Sequence, residues 1–323
     1  MRTLIKLVAL CTFILLPASL SFGWDDVGHK TTAYIAWQQM SPTARDAVIK
    51  ILRSAPEDSD LSTFYALYGA EPEDMRKLEY FMLVSTWADI VRDRSFEVRY
   101  KKYHKSNWHY DDTFWKQVGG KAEILSGFEE GGVAANKLLD FDKVMRNAAA
   151  NDQDKAIAIA WVAHLIGDIH QPLHTSARVT DLEPKGDQGA NLFLLTPKDT
   201  PREKQQNLHW FWDSIIGRNT PLKGDTCERD YITSVARRIM KKYPRSSFGS
   251  AIKLGEYDEW RKEGFALAPT DVFSPDLVRF QTPSEKYKRH AFKVAQRRLA
   301  LAGYRLGETL NQIFGAAAAP AAH

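Results

Sequence analysis

Residues 156–163 form a continuous apolar stretch with the sequence AIAIAWVA. A helix that is apolar around its whole circumference is normally buried in a protein core. His164 and Asp168 follow this stretch, and their spacing of four residues places both side chains on one face, one turn apart. Pro172 predicts that the helix ends at about Gln171, because proline disfavours helical backbone in the residue before it. The pattern therefore predicts a buried helix that carries a His–Asp pair near its end.

Helical periodicity and capping signals recur along most of the remaining chain. Ser41 and Pro42 are one such start signal, since serine is a preferred N-cap and proline fits the first helical turn. Helices are predicted over residues 28–40, 42–53, 73–84, 129–147, 153–171, 207–217, 230–242, part of 252–267, and 284–314. A long turn-rich loop is predicted over 175–205, with a short strand at 192–195. The predicted fold class is all-α: a single mainly helical domain with long irregular loops.

The first 23 residues have the pattern of a secretory signal peptide. Arg2 and Lys6 give a charged start, residues 7–16 are apolar, and residues 21–23 form a small-x-small end. A membrane anchor is the alternative, but the apolar run is short for a bilayer span. We therefore expect cleavage after Gly23 and a secreted or periplasmic protein without a membrane segment. The rest of the chain is expected to divide into a domain, 24–316, and a flexible tail, 317–323.

Composition and charge narrow the possible partners. The chain has 323 residues and a net charge of +4, and loss of Arg2 and Lys6 with the signal would leave +2. A nucleic-acid partner would then have to be attracted by a local feature rather than by a broad basic field. Cys11 would also leave, so Cys227 would stand alone and no internal disulfide could form. Bound metal ions are candidates for stabilising the fold in place of a disulfide.

A second His–Asp pair lies in the sequence NLHWFWDSIIG, where His209 and Asp213 are again four residues apart. His174 lies just beyond the first pair, on backbone predicted to be irregular. One such pair is simply explained as a core histidine bonded to a nearby aspartate. Two pairs and His174 exceed that need, and imidazole and carboxylate are ligands that zinc accepts.

Several short motifs together resemble a known family. They are WDDVGH at the expected mature start, WAD (87–89), NWHY (107–110), HLIGDIHQPLH (164–174), GDQGAN (186–191) and NLHWFWD (207–213). These motifs, and AGYRLGETLN near the end of the chain, resemble the zinc-dependent single-strand nucleases of the S1/P1 type. The resemblance covers nearly the whole expected mature chain, and HLIGDIHQPLH is its most specific part.

The resemblance implies a trinuclear zinc site with Asp168 bridging two of the ions. The first ion would be held by Asp89, His109, His164 and Asp168, the second by Asp168, His29 and the amino nitrogen and carbonyl oxygen of Trp24, and the third by His174, His209 and Asp213. Asp89, Asp168 and Arg92 would act in catalysis, with Arg92 orienting Asp89. A plain surface salt bridge is the alternative interpretation of Arg92.

The implied activity is hydrolysis of single-stranded DNA and RNA to 5′-phosphorylated products through a metal-bound hydroxide, together with 3′-nucleotidase activity on 3′-nucleotides. An unpaired base needs a stacking platform, and Tyr110 is a candidate. Asp187 and Asn191 could contact base edges. The alternative is that Tyr110 is a core residue and GDQGAN only turns the chain, where Ala190 replaces the family's usual second glycine.

Two other functions remain open, and some histidines are left outside the site. A zinc-dependent phospholipase C has similar ligands but usually has glutamate at the position of Asp213, and a non-catalytic periplasmic zinc-binding protein would leave Arg92 unexplained. His170 lies about 240° around the helix from His164, which predicts a structural role. His104 is expected to be exposed, and His290 is given no role. The protein is expected to be a monomer.

Overall fold

The computed structural model describes residues 24–128 and 131–315. The expected signal peptide, 1–23, and the expected tail, 317–323, lie outside these ranges. Within them, no helix is both long enough and apolar enough to cross a membrane.

Helices dominate the described chain, which confirms the all-α prediction. They are α1 (Asp26–Gln39), α2 (Pro42–Leu52), α3 (Glu73–Val84), α4 (Trp87–Ile90), α5 (Glu97–Tyr103), α6 (Ala134–Arg146), α7 (Asp152–Asp168), α8 (Leu208–Asp213), α9 (Ile215–Asn219), α10 (Glu228–Lys242), α11 (Tyr257–Leu267) and α12 (Glu285–Phe314).

The apolar helix α7 lies at the centre of the fold. It packs against α1, α2, α4, α6 and α12, and its residues 158–168 are all buried. The side of α1 that faces α12 is equally closed, because a Cβ on Gly303 would lie 2.5 Å from the Cβ of Ile35. Glycine at this position allows the two backbones to approach each other. Helices α1 and α7 are therefore both closely packed in the core.

A small sheet was not predicted from the sequence. Its strands are β1 (Thr113–Val118), β2 (Lys121–Ile124) and β3 (Ser176–Arg178), in the order β2-β1-β3. The β1–β2 pair is antiparallel and β1–β3 is parallel. Gly119 and Gly120 connect β1 to β2 with φ of 55° and 79°, and such a pair is a hairpin turn signal that was overlooked. The strand expected at 192–195 is reduced to one bridge between Leu194 and Asn207.

Three predicted helix boundaries need correction. Helix α7 ends at Asp168 rather than near Gln171, because the amides of His170 and Gln171 form tighter turns with Gly167 and Asp168 before Pro172. Helix α6 begins at Ala134, not at 129. The single helix expected over 207–217 is divided at Ser214 into α8 and α9.

Candidate metal centre

The end of α7 brings three histidines to one carboxylate. Oδ2 of Asp168 lies 3.1 Å from Nδ1 of His109 and 3.1 Å from Nε2 of His164, and Oδ1 lies 3.3 Å from Nε2 of His29. The His29 and His164 rings are stacked, with centroids 3.9 Å apart. All four side chains are buried. The two oxygens of Asp168 thus face separate groups of imidazoles.

Asp89 approaches the same cluster from the short helix α4. Its Oδ1 lies 3.8 Å from Nε2 of His164 and 3.9 Å from Nδ1 of His109. Nη2 of Arg92, one turn further along the chain, lies 3.0 Å from Asp89 Oδ1. Both side chains of this ion pair are only 7 % exposed, so the pair is buried and is not a plain surface salt bridge.

A second cluster unites the other predicted His–Asp pair with His174. Nε2 of His209 lies 3.3 Å from Oδ2 of Asp213 and 3.2 Å from Nε2 of His174. Nε2 of His174 lies 3.8 Å from Oδ1 of Asp213. The two clusters adjoin, because Nδ1 of His174 is 3.9 Å from Oδ1 of Asp168.

Backbone carbonyls fix the orientation of three imidazoles. Nδ1 of His164 donates to the carbonyl of Ser85 at 2.8 Å, that of His174 to His109 at 2.7 Å, and that of His209 to Gly189 at 2.6 Å. A proton held on Nδ1 leaves the lone pair of Nε2 pointing into the cluster, as a metal ligand requires. Ser85 and Gly189 were not identified from the sequence, since a backbone carbonyl has no sequence signal.

Carboxylate oxygens in both clusters lack hydrogen bonds. Within the described chain, Oδ1 of Asp168 and Oδ2 of Asp213 are buried and accept no hydrogen bond. Oδ1 of Asp89 also accepts none, but it lies 3.0 Å from Nη2 of Arg92 in the ion pair. Buried polar atoms of this kind are costly and need an explanation. Converging imidazole nitrogens and carboxylate oxygens without hydrogen bonds are the N and O donors that zinc prefers. The residues present therefore fit bound metal ions.

Electrostatics distinguish the two clusters. Burial acts to raise the pKa of Asp168, but His164, His109 and His29 together hold that pKa well below its usual range. Burial raises the pKa of Asp213 well above its usual range, and Asp168 adds to the rise. A cation bound beside Asp213 would oppose this rise and favour the ionised carboxylate.

The start of α1 closes the site from one side. The indole Nε1 of Trp24 donates to the carbonyl of Gly167 at 3.0 Å, and the amide of Asp25 donates to the carbonyl of Asp213 at 3.1 Å. A Cβ on Gly167 would lie 2.9 Å from Nδ1 of His29. Glycine at this position allows the first turns of α1 to reach the end of α7, which brings Trp24 and His29 to the cluster.

The three expected base contacts have different surroundings. Asp187 is fully buried, and its Oδ1 accepts from the amides of Arg178 at 2.9 Å and Ala190 at 3.1 Å. Asp187 therefore occupies the position of a turn-forming residue, and its burial does not support the expected contact with a base. Asn191 and Tyr110 are partly exposed, so both remain candidates.

In the GDQGAN loop, Ala190 adopts a backbone conformation that glycine would adopt more easily. Ala190 has a φ of 65°, a left-handed conformation that is strained for residues other than glycine. The side-chain amide of Asn191 donates to the carbonyl of Gln188 at 2.8 Å. The loop supplies the carbonyl of Gly189 that orients His209, so its conformation is directly connected to the second cluster.

Three described histidines lie outside the two clusters. His170 is buried, and its Nδ1 donates to the carbonyl of Ile166 at 2.7 Å. His290 is exposed and lies 2.7 Å from Asp271. His104 was expected to be exposed but is only partly so, because its ring stacks on Tyr100 with centroids 4.8 Å apart.

Gln171 is a contact residue that sequence reasoning missed. Its side-chain amide donates to Oδ1 of Asp213 at 2.7 Å, and its Oε1 accepts from the amide of Leu173. Gln171 thus connects the end of α7 to the carboxylate of the second cluster. Its place between His170 and Pro172 in the HLIGDIHQPLH motif was the only available signal.

Comparisons with known proteins identify the family to which the chain belongs. Endonuclease 2 from Arabidopsis thaliana is 26% identical over 329 aligned positions, which cover 96% of this chain and 97% of the relative. Nuclease P1 from Penicillium citrinum is 21% identical over 90% of this chain and 98% of its own. Nuclease S1 from Aspergillus oryzae is 26% identical over 65% of this chain and 60% of its own. The sequence model of the S1/P1 nuclease family matches residues 24–315, and the chain therefore belongs to that family.

Proposed function

We propose that this protein is a zinc-dependent phosphodiesterase that hydrolyses single-stranded DNA and RNA to 5′-phosphorylated products and removes phosphate from 3′-nucleotides. The observation that carries the proposal is the pair of adjoining clusters in which imidazole nitrogens and carboxylate oxygens without hydrogen bonds converge. Membership of a nuclease family and relatives named as nucleases and endonucleases support the reaction class.

The proposed ligands divide among three zinc ions as the resemblance implies. Asp89, His109, His164 and Asp168 would hold the first, Asp168, His29 and the backbone nitrogen and oxygen of Trp24 the second, and His174, His209 and Asp213 the third. Zinc, when bound, supplies a Lewis acid that lowers the pKa of a water molecule and neutralises charge on a phosphate. The ligand role of the Trp24 amino group requires processing after Gly23, so we also propose a cleaved signal, export, and a monomeric mature enzyme.

The chain's own residues supply orientation around this centre. Asp168 faces His109 and His164 with one oxygen and His29 with the other, which suits a bridging carboxylate. Arg92 holds Asp89 in position through the buried ion pair. No nucleophilic side chain is required for the reaction.

Selectivity for unpaired strands is proposed to depend on Tyr110 and Asn191. Tyr110 adjoins His109 in the chain and is partly exposed, so its ring could stack on a base that has left a duplex. Asn191 could contact a base edge from the GDQGAN loop. A duplex would have to open first, so it should be cut more slowly.

A turnover assay with four substrates tests the proposal. The purified mature protein is incubated with single-stranded DNA, single-stranded RNA, a 3′-nucleotide and phosphatidylcholine, with and without a chelator, and its zinc content is measured. We expect about three zinc ions per chain, cleavage of DNA and RNA at comparable rates, and loss of all activity with the chelator. Hydrolysis of phosphatidylcholine alone would indicate a phospholipase C, and zinc binding without turnover would indicate a zinc-binding protein.

A further inference from the structure

Charge is distributed very unevenly over this nearly neutral chain. Residues 231–255 and 286–307 together contain 13 Lys and Arg and no Asp or Glu. The whole chain has 44 Lys and Arg and 40 Asp and Glu, so the remainder holds 31 basic residues against 40 acidic ones. The net charge therefore conceals two basic segments on an otherwise acidic molecule.

The first segment places its cations on one face of α10. Arg237, Arg238, Lys241 and Lys242 are all exposed, and their spacing of one, four and five residues keeps them on one side of the helix. Within the described chain, none of the four lies in an ion pair with a carboxylate. The described ion pairs of α10 lie at its acidic start, where Glu228 pairs with Lys30 and Asp230 pairs with Arg229.

The second segment repeats this arrangement on α12. Lys286, Arg289, Lys293 and Arg297 are exposed and are spaced three, four and four residues apart, which produces a single stripe along the helix. The stripe is about 16 Å long at 1.5 Å per residue. In the part of the chain that the structure covers, none of these four cations forms a close ion pair, although Lys286 acts electrostatically on Asp276 and Arg289 on Glu285.

The two sets of cations form one surface, which we name the basic ridge. Nζ of Lys242 donates to Oε1 of Gln296 at 2.7 Å, and the hydroxyl of Tyr243 donates to the carbonyl of Lys293 at 3.2 Å. The guanidinium of Arg297 lies 4.8 Å from the ring centroid of Phe248, just beyond the end of α10. The end of α10 and the middle of α12 are therefore in direct contact.

One end of the basic ridge lies near the candidate metal centre. Tyr287, next to Lys286, accepts a hydrogen bond from the indole of Trp212 at 3.0 Å. Trp212 belongs to α8, the helix that carries His209 and Asp213. The stripe on α12 thus begins beside the element that holds the second cluster.

We propose that the basic ridge binds the phosphodiester backbone of the nucleic-acid strand outside the catalytic cleft. This inference rests on the proposed function and extends it to long strands. Phosphates attract a row of unpaired cations whatever the base sequence. Within the described chain, none of the exposed large apolar side chains lies on either segment, so the ridge lacks the apolar groups that insert into membranes or anchor protein interfaces.

The ridge should act on long substrates only. A dinucleotide that occupies the metal centre cannot also reach along the stripe, whereas a strand of 30 nucleotides can. Each phosphate contact on a single strand contributes about 0.7 to the slope of log affinity against log salt. Three contacts should therefore contribute a slope of about 2, or a change in affinity of roughly 20-fold between 50 and 200 mM salt.

A triple variant and a matched control test this proposal on the zinc-loaded enzyme. The variant Arg289→Gln/Lys293→Gln/Arg297→Gln removes three charges from the stripe, and Lys50→Gln/Lys121→Gln/Lys223→Gln removes three exposed charges elsewhere. Binding of a fluorescein-labelled single-stranded phosphorothioate 30-mer is followed by anisotropy from 50 to 200 mM NaCl. Turnover of a dinucleotide and of an ordinary 30-mer is measured in parallel.

We expect the ridge variant to bind the 30-mer more weakly than the wild type by at least about 20-fold at 50 mM NaCl, with a salt slope smaller by about 2, and with an unchanged kcat on the dinucleotide. The control variant should match the wild type. Equal weakening in both variants, or none in either, would overturn the proposal. Binding of both variants to phosphatidylglycerol vesicles is measured as well. If the ridge variant lost binding to the vesicles but still bound the 30-mer like the wild type, the ridge would be a membrane-binding surface and the proposal would be overturned. If the wild type binds the 30-mer through the ridge but cleaves neither substrate, the proposed function fails while this inference stands.

Discussion

Helix α7 and the turn after it carry two histidines that are equally buried but differently bonded. His164 and His170 are both fully buried. The ring of His170 has protein partners at both nitrogens, whereas the ring of His164 has one carbonyl behind it and faces a crowded cluster in front. The comparison separates a polar group that completes a core from one that is arranged to bind something else.

The surroundings of His170 form a closed network. Nδ1 donates to the carbonyl of Ile166, and Nε2 accepts from Nη1 of Arg305 at 2.7 Å. Arg305 also bonds to Glu263 at 2.8 Å. Burial lowers the pKa of His170 well below its usual value, and Arg298 and Arg305 lower it further. This imidazole is therefore neutral, with a single tautomer fixed by its neighbours.

The surroundings of His164 are open at the cluster. Its Nε2 lies 3.0 Å from Nδ1 of His109, and both nitrogens lie 3.1 Å from the same oxygen of Asp168. The two nitrogens thus face each other as well as the same carboxylate oxygen, while Oδ1 of Asp168 has no hydrogen bond. A shared cation resolves this arrangement better than further hydrogen bonds can, because every donor atom can then point at the ion.

The largest expected effect separates these two environments directly. Asp168→Asn keeps the shape of the side chain but removes the second negative oxygen, so it should lose zinc and reduce kcat/KM by more than about 100-fold, the upper limit for a residue that only supports a ligand. His170→Ala should keep its zinc and most of its activity, while a partner of buried Arg305 is lost at a cost of about 1–3 kcal/mol in stability.

Zinc content, kcat/KM and Tm measured on both variants check this prediction. The expected signatures are opposite: metal and activity lost with Asp168→Asn, and Tm lowered with His170→Ala. If both variants retained similar rates at saturating zinc, the bridging role of Asp168 would be wrong.

A one-residue extension before Trp24 should have the next largest effect. Only a free α-amino group can ligate zinc, so the extra peptide bond should remove one of the three ions and most of the activity. The fold should remain, because the indole of Trp24 bonds to Gly167 independently of the amino group. Mass spectrometry must confirm the extra residue, and the Tm with excess chelator should match that of the correctly processed protein. Full activity with the extension intact would show that Trp24 is not a ligand through its amino group.

The contrast between the two histidines also explains what the sequence could and could not predict. The i, i+4 spacing of His164 with Asp168 and of His209 with Asp213 placed both pairs on helix faces, and the apolar stretch before His164 correctly indicated burial. The 240° offset of His170 indicated that it belongs to another network. Arg298 and Arg305 could not be assigned to that network, because they lie more than 120 residues away and only tertiary packing brings them there.

Other misses have the same physical origin. The parallel strand β3 pairs with β1 across about 60 residues, and no local periodicity of three residues predicts such a strand. The carbonyl of Ser85 is positioned by the turn between α3 and α4, so its role in orienting His164 depends on backbone geometry alone. Burial of Asp187 depends on the folding of its loop, and a GDQGAN sequence is equally compatible with an exposed carboxylate.

Removal of the Arg92 guanidinium should have an intermediate effect. Burial acts to raise the pKa of Asp89, but Arg92 and the nearby imidazoles hold it below its usual value. Arg92→Ala should therefore weaken zinc binding and lower kcat/KM by about 10–100-fold, and Arg92→Lys should recover part of the loss, because lysine keeps the charge without the planar fork.

Zinc affinity by chelator competition and separate values of kcat and KM distinguish how Arg92 acts. A positioning residue changes zinc affinity together with kcat. A fall in kcat at unchanged zinc affinity would instead place the guanidinium on the reacting phosphate. Wild-type values for both quantities in Arg92→Ala would remove Arg92 from the mechanism.

The smallest expected effect concerns Asp187, whose buried carboxyl belongs to the GDQGAN loop rather than to either histidine environment. Burial raises the pKa of Asp187 from 3.8 to about 6, although the amides of Arg178 and Ala190 oppose the rise. The folded protein therefore keeps this proton up to about pH 6, whereas the unfolded chain releases it near pH 4. Because the folded state binds more protons in this window, the contribution of Asp187 to stability falls as the pH rises from 4 to 6 and stays low above it.

Asp187→Asn should remove the loss of stability that the wild type shows as the pH rises from 4 to 6. The asparagine keeps an oxygen for the two amides and carries no charge, so the variant should be more stable than the wild type at pH 7 by at most about 3 kcal/mol. The stability difference should disappear towards pH 4, where the wild-type carboxyl is protonated in both states. Urea unfolding at pH 4, 5, 6 and 7 measures the difference, which also includes the lowered pKa of Asp112, because Asp187 contributes to the raised pKa of that carboxyl in the wild type. Rates on substrates that differ only in the base should be unchanged. A changed base preference with a flat stability difference would show that Asp187 contacts the substrate, and would return the loop to a recognition role.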